Sequence, residues 1–264
     1  MGVKIISVMP GNHGTQYDTH MGAVLLFEAE HGVPLALIEA GAITAIRTAA
    51  VSGAATRLLA RKDAGDLAIL GAGVQAQTHL EAMAVARQLR RVRVWSRNAD
   101  HTRAFAVRES GRIGLTIEPM DTVQAAVQGA DLICTTTASR EPVLHGEWVR
   151  AGAHLNVVGA SLPTARETDT ALMVRARLFV DRRESTLAEA GDFLIPKSEG
   201  AIDDGHIQAE LGEILLGQAA GRRSPDEITL FKSLGLAVED LASAQLIYAQ
   251  AQAGNVGTRV EFGE

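Results

Sequence analysis

Residues 66–76, Asp-Leu-Ala-Ile-Leu-Gly-Ala-Gly-Val-Gln-Ala, run an apolar, strand-length segment straight into a Gly-x-Gly turn and out into a helical pattern. Strand, glycine turn and helix in that order open a dinucleotide-binding βαβ unit. Gly71 lets the strand reverse tightly, and Gly73 keeps a Cβ from holding a pyrophosphate away from the backbone N–H groups. Ala76 fills the third place, where only a small residue lets helix pack on strand. Ala72, Val74 and Gln75 complete the candidate phosphate-binding turn. Apolar residues at helical spacing over 74–87 predict a helix whose free N–H groups and positive dipole end face an anion. A nicotinamide or flavin nucleotide is the leading ligand; a tight βα turn with no ligand is the alternative.

The rest of the chain bounds this reading. At 264 residues and 47% hydrophobic, it has the material for one or two domains with a sizeable core. A net charge of −6 without a Lys/Arg block argues against nucleic acid or an anionic membrane surface as principal partner. No apolar run approaches the roughly 20 residues that span a bilayer, and the N-terminus lacks a signal-peptide pattern, so a cytoplasmic location is expected. Cys134 is the only cysteine, which excludes an intrachain disulfide and a thiolate cluster; its apolar surroundings predict a packing role.

Strand-like segments at 66–70, 92–96, 115–118, 131–135, 154–158 and 177–181 alternate with helical patterns at 75–88, 99–109, 121–128, 168–175 and 184–190. This alternation predicts an α/β fold with a doubly wound parallel sheet of Rossmann type. Residues 3–8, 22–28 and 33–39 read as an antiparallel layer, followed by helical spacing at 44–60. Long helical patterns recur at 206–216 and 235–253. The expected layout is a Rossmann NAD(P)-binding domain over 54–231 and a smaller α+β substrate and dimerisation domain built from both chain ends, 1–53 and 232–264.

The end of the second Rossmann strand selects the nucleotide, because a carboxylate there bonds the ribose hydroxyls of NAD and repels a 2′-phosphate. Here the tip reads Ser96-Arg97-Asn98. A cation with polar neighbours, supported by Arg103 one turn into the next helix, favours NADP. Asp100 keeps NAD possible, and solvated surface arginines are the bland alternative. Thr136, just past the strand pattern 131–135, is counted with the cofactor-binding set.

Two cations interrupt apolar or small-residue surroundings, Lys4 in Val-Lys-Ile-Ile-Ser-Val and Arg47 in Thr-Ala-Ile-Arg-Thr-Ala-Ala. An unpaired charge there is costly, so each either meets a protein carboxylate or waits with the other for an anionic substrate. Arg47 can grip a carboxylate bidentately while Lys4 supplies a point charge. His13, His20 and His31 match no metal-ligand spacing, and no metal site is expected. Asp203-Asp204 reads as a helix start, with Glu210 and Glu213 on the solvated face of the helix that follows.

The segments 4–12, 44–50, 71–76, 158–161 and 231–240 together resemble the ornithine cyclodeaminase/mu-crystallin family, over nearly the whole chain. The resemblance implies a Rossmann domain joined to a dimerising domain whose antiparallel sheet lines the substrate site. It makes Lys4 and Arg47 ligands of a substrate carboxylate, Thr19 a neighbour of the substrate and Thr48 a contact to the cofactor phosphates. Two departures matter. Cyclodeaminases carry an aspartate at the position of Ser161, and a serine at its ordinary pKa does no general-base work of that kind. The expected function is therefore NAD(P)H-dependent reduction of a cyclic imino acid, Δ1-pyrroline-2-carboxylate or Δ1-piperideine-2-carboxylate, with Ser161 contacting the substrate or nicotinamide or capping the following turn. The proton donor stays open among Ser161, Thr19, His20 and water. Family chains also begin upstream of the Lys4 segment and carry there a further carboxylate-binding arginine, so a chain short at its N-terminus is expected. The alternatives are ornithine cyclisation, an amino-acid oxidoreductase of alanine-dehydrogenase type, and a non-catalytic binder of NADPH or a small molecule. A homodimer is expected.

Overall fold

A computed structural model describes residues 1–12, 15–17 and 20–261. In chain order its strands are β1 (Gly2–Val8), β2 (His20–Phe27), β3 (Pro34–Glu39), β4 (Asp66–Leu70), β5 (Arg91–Trp95), β6 (Ile117–Pro119), β7 (Leu132–Thr135), β8 (His154–Val157), β9 (Ala176–Val180), β10 (Ile207–Glu210) and β11 (Ile228–Lys232). The helices are α1 (Ala40–Leu59), α2 (Val74–Ala86), α3 (Ala99–Ile113), α4 (Val123–Val127), α5 (Thr170–Arg175), α6 (Arg183–Glu189), α7 (Gly191–Ser198), α8 (Leu211–Leu215) and α9 (Ala237–Gly254). The chain divides into two compact units, one of Met1–Arg47 and Gly235–Glu264, the other of Thr48–Leu234.

The larger unit is an α/β Rossmann fold. Its eight strands are all parallel, in the order β10-β9-β11-β8-β7-β4-β5-β6. A parallel sheet covered on both faces favours strands apolar on both sides, as in β4 from Leu67 to Leu70, whereas β5 and β8 alternate apolar residues with the buried polar groups Arg93, His154 and Asn156. Along β4, Leu67 and Ile69 join one core with Ala76, Leu80 and Met83 of α2 and Phe105 of α3. The intervening Ala68 and Leu70 join another with Leu172 of α5 and Phe193 of α7. Cys134 of β7 is fully buried, and burial pushes its thiol up to about 12, so it packs as a small hydrophobe.

The smaller unit is the antiparallel sheet β1-β2-β3 with α9 and the start of α1. Pairing puts Lys4, Val24 and Ile38 in one row and Val3, Leu25 and Leu37 in the adjacent row, on the opposite face. The Val24 face packs on Ile43, Leu241 and Ala244. The other face exposes Val3, Ile5 and Leu37.

One segment departs from its sequence pattern. The helix expected over 206–216 is instead a single turn (Asp204–His206), strand β10 and the short helix α8. Ile207 and Ala209 are buried while Gln208 is exposed, the alternation of a strand edge rather than a helical stripe. Glu210 and Glu213 form a reciprocal capping box at the start of α8, which accounts for both carboxylates without a catalytic dyad. The turn at Asp203 has no side-chain cap. No helix among the described residues is long and apolar enough to cross a membrane.

Candidate active site

Within the larger unit the chain runs from β4 to β5 and β6 on one side and takes up β7 and β8 on the other. The carboxyl ends of β4 and β7 therefore flank the point where winding reverses, the place where an open α/β sheet binds its ligand. Gly71 follows β4 with a φ of +125°, a backbone state that favours glycine, and a Cβ there would lie 2.5 Å from the Thr136 hydroxyl and 2.8 Å from its carbonyl. Thr136 holds that approach through its N–H (2.8 Å) and its hydroxyl (3.1 Å), both donating to the Leu70 carbonyl.

Gly73 caps α2 in an extended conformation with open space where a Cβ would stand, and no side chain caps the helix. The first N–H groups of α2 are thus open to an anion, and the Gln75 Oε1 beside them is a buried acceptor with no hydrogen-bond partner among the described residues. Ala76 is fully buried against the sheet. An open cradle, uncapped N–H groups and an orphaned amide oxygen fit the pyrophosphate and ribose of a dinucleotide. Thr48, on α1, is almost fully buried.

At the tip of β5 the candidate residues divide. Asn98 caps α3, its Oδ1 accepting from the N–H groups of Asp100 (2.9 Å) and His101 (3.1 Å). Ser96 pairs with the Thr102 hydroxyl at 2.7 Å. Arg103 is exposed and bonds Asp100 at 2.6 Å. Arg97 is exposed and enters no ion pair among the described residues. Two of the four, Ser96 and Asn98, build the β5–α3 turn, Arg103 is paired with Asp100, and Arg97 is the other exposed cation of the set.

Sequence reasoning missed a buried network at the same sheet edge. Glu167, fully buried, accepts from the Thr135 hydroxyl (2.7 Å), the Thr137 N–H and hydroxyl (both 2.7 Å) and the Gly159 N–H (2.6 Å). Burial and the neighbouring Asp192 raise its pKa, while Lys232 and the threonine hydroxyls counter them. Asp192 accepts from the Glu167 and Thr168 N–H groups and pairs with Lys232 at 3.0 Å. Lys232, with no exposed surface, also donates to the Ala160 carbonyl at 2.5 Å. One carboxylate thereby ties the segments after β7 and β8 together, and one ammonium holds the residue before Ser161, which is exposed.

In the smaller unit Lys4 and Arg47 meet in a single cluster. The Lys4 ammonium donates to the Thr44 hydroxyl (2.6 Å) and to Asp240 Oδ1 (3.0 Å). Arg47 Nε donates to that same Oδ1 at 3.0 Å, and its Nη1 to Glu239 Oε2 at 3.0 Å. Gly235, with a φ of +90°, precedes α9 where any Cβ would overlap the Arg47 guanidinium. Both cations thus have protein carboxylates as partners, and Asp240 is the shared one. Thr19 and His13 lie outside the described residues. Among the described residues Glu28, Glu30 and His31 bring three ligand atoms within 4.8 Å, in an exposed turn where Glu28 already accepts from the Glu30 and His31 N–H groups.

The model of the ornithine cyclodeaminase/mu-crystallin family matches residues 1–255. The ketimine reductase mu-crystallin of Mus musculus is 43% identical over 251 residues, which are 95% of this chain and 76% of that protein. The structure of Thermococcus litoralis Delta(1)-pyrroline-2-carboxylate reductase in complex with NADH and L-proline superposes with a TM-score of 0.95 at 42% identity, covering 98% of this chain and 80% of that one. An archaeal alanine dehydrogenase dimer with bound NAD superposes with a TM-score of 0.93 at 33% identity, covering 99% and 81%.

Proposed function

Because this chain belongs to the ornithine cyclodeaminase/mu-crystallin family, we propose that it is an NAD(P)H-dependent reductase of cyclic imino acids, taking Δ1-pyrroline-2-carboxylate or its six-membered homologue to the cyclic amino acid. The observation that carries the reading is a pair of largely desolvated cations, Lys4 and Arg47, in a chain that also holds an uncapped glycine turn for a dinucleotide. Serine rather than aspartate at position 161 favours reduction over cyclisation.

When bound, the cofactor supplies the hydride. The N–H groups following Gly71 and Gly73, with Ala72, Val74 and Gln75, hold its pyrophosphate. Thr48 and Thr136 flank the phosphates, and Arg97 takes a 2′-phosphate, which favours NADP over NAD. Arg47 and Lys4 hold the substrate carboxylate, and Glu167, Asp192 and Lys232 fix the loop that presents Ser161. A protonated cyclic imine is already electrophilic at the carbon to be reduced, so positioning outweighs acid–base work. The proposal includes a homodimer, supported by the exposed Val3, Ile5 and Leu37 face and by the dimeric alanine dehydrogenase relative. A cytoplasmic location, where nicotinamide dinucleotides are available, belongs to the same reading.

NADPH and NADH consumption with each imine, at slightly acidic pH, tests the activity; binding of NADPH without turnover of either imine overturns it. Arg47→Ala should lower kcat/KM by roughly 10- to 150-fold, the weight of about 1.5–3 kcal/mol of charge-assisted hydrogen bonding, mostly through KM. Unchanged kinetics would remove the carboxylate role. Leu37→Glu should shift the dimer to monomer in light scattering, and a wild-type monomer would refute the dimer outright.

A further inference from the structure

We infer that Asp240 makes the Lys4–Arg47 pair selective for a carboxylate that carries its own neighbouring positive charge. The inference rests on the reading that these two cations receive the substrate carboxylate. A single oxygen of Asp240 serves both cations at 3.0 Å, and Glu239 takes a second edge of the guanidinium. Among the described residues the cluster therefore holds two positive and two negative charges before any ligand arrives. Its four side chains are only 10–15% exposed, so water screens these charges poorly.

A plain carboxylate entering this cluster adds a third negative charge close to Asp240 and must share cations already committed to it. A ligand whose carboxylate lies one carbon from a protonated nitrogen adds no net charge. The nitrogen's positive end meets the negative potential of Asp240 and Glu239 while the carboxylate meets Arg47 and Lys4. Arg47 has little freedom to leave its carboxylates, because its guanidinium fills the space that only a glycine at 235 leaves open. Asp240 thus works against the anion and for the zwitterion, which for a cyclic imino acid is the protonated iminium form. Asp240 and Glu239 are specificity-determining residues here, acting through the charge of the site.

L-Proline and cyclopentanecarboxylate test this directly, being five-membered rings of the same outline that differ in a ring NH2+ or CH2 beside the carboxylate. Binding is measured by calorimetry on the cofactor-loaded full chain, with no turnover required. Wild type should bind L-proline tighter by on the order of tenfold, the scale of one charge pairing in a largely desolvated cluster. In Asp240→Asn that ratio should collapse or invert, because the anion gains affinity as the zwitterion loses it. Glu239→Gln, which removes a negative charge beside Arg47 and leaves the shared oxygen in place, should move the ratio in the same direction by less. An unchanged ratio in both variants, or equal weakening of both ligands, overturns the inference alone. Binding of neither ligand to wild type overturns the carboxylate-site reading and the inference with it.

Discussion

Glu167 concentrates more hydrogen bonding on one side chain than any residue that carries a recognisable motif. Two of its four donors are backbone N–H groups, Thr137 and Gly159, which cannot rotate away. Glu167→Gln would turn an amide NH2 toward one of them, leaving donor against donor in a fully buried place. We expect a loss of about 1–3 kcal/mol in urea unfolding, with a larger fall in kcat than in KM because the Gly159–Ser161 segment loosens. Wild-type stability in this variant would show that the carboxylate is replaceable. Nothing local in the sequence marks Glu167, since its partners are 8 to 32 positions away. Lys4 and Arg47 were conspicuous as cations in apolar surroundings. Their partner Asp240 was not, because an acidic residue in the first turn of a helix is ordinary on dipole grounds alone.

Among the elements, those whose pattern runs long enough were legible, the alternating β1 and β3 included, and those that are short or broken by polar residues were not. Strands β4 and β7 are largely apolar runs, β8 sets Leu155 and Val157 between His154 and Asn156, and α2 and α3 carry enough turns for a period to show. Strand β10 has four residues and α8 has five, too few to separate period two from period 3.6. Strand β11 escaped because it contains Thr229 and ends in Lys232, polar groups that become tolerable only beside His154, Arg222 and Asp192. The same contrast separates two neighbours at the β5–α3 turn. Asn98→Ala removes a helix cap and should cost about 0.5–2 kcal/mol in thermal unfolding, affecting NADPH and NADH alike. Arg97→Ala should leave the melting temperature unchanged and raise KM for NADPH only. A KM for NADPH that does not move would assign the 2′-phosphate to another group.

At the scale of the whole molecule, two buried histidines give stability a pH dependence with a definite sign. His79, bonded to the Gln75 carbonyl (2.7 Å) and Ser52 (2.9 Å), is lowered by burial to about 4, and His154 to about 3. Each is neutral in the fold and takes a proton near its ordinary value of 6.5 once unfolded. The unfolded chain therefore binds more protons below that value, and stability falls as the pH drops from about 6.5 toward about 4. It is fully present above 6.5. His79 alone contributes up to roughly 3 kcal/mol of this loss. The urea midpoint should drop between about pH 6.5 and 4, and His79→Gln should flatten the slope by up to one proton. A wild-type midpoint constant over that range would mean that both rings protonate in the native state.

The smaller unit is assembled from the two ends of the chain, and its cation cluster joins Lys4 to Asp240 across 236 positions and Arg47 to Asp240 across 193. At translation rates of 5–20 residues per second, Lys4 is joined to the chain roughly 12–50 s before its carboxylate partner is made. The glycine turn and the sheet around it are synthesised within that interval. Strand β11, which lies between β9 and β8, ends only at Lys232, so the sheet of the larger unit closes just before Asp240 is made, and a chain stalled short of α9 lacks the one carboxylate that Lys4 and Arg47 share.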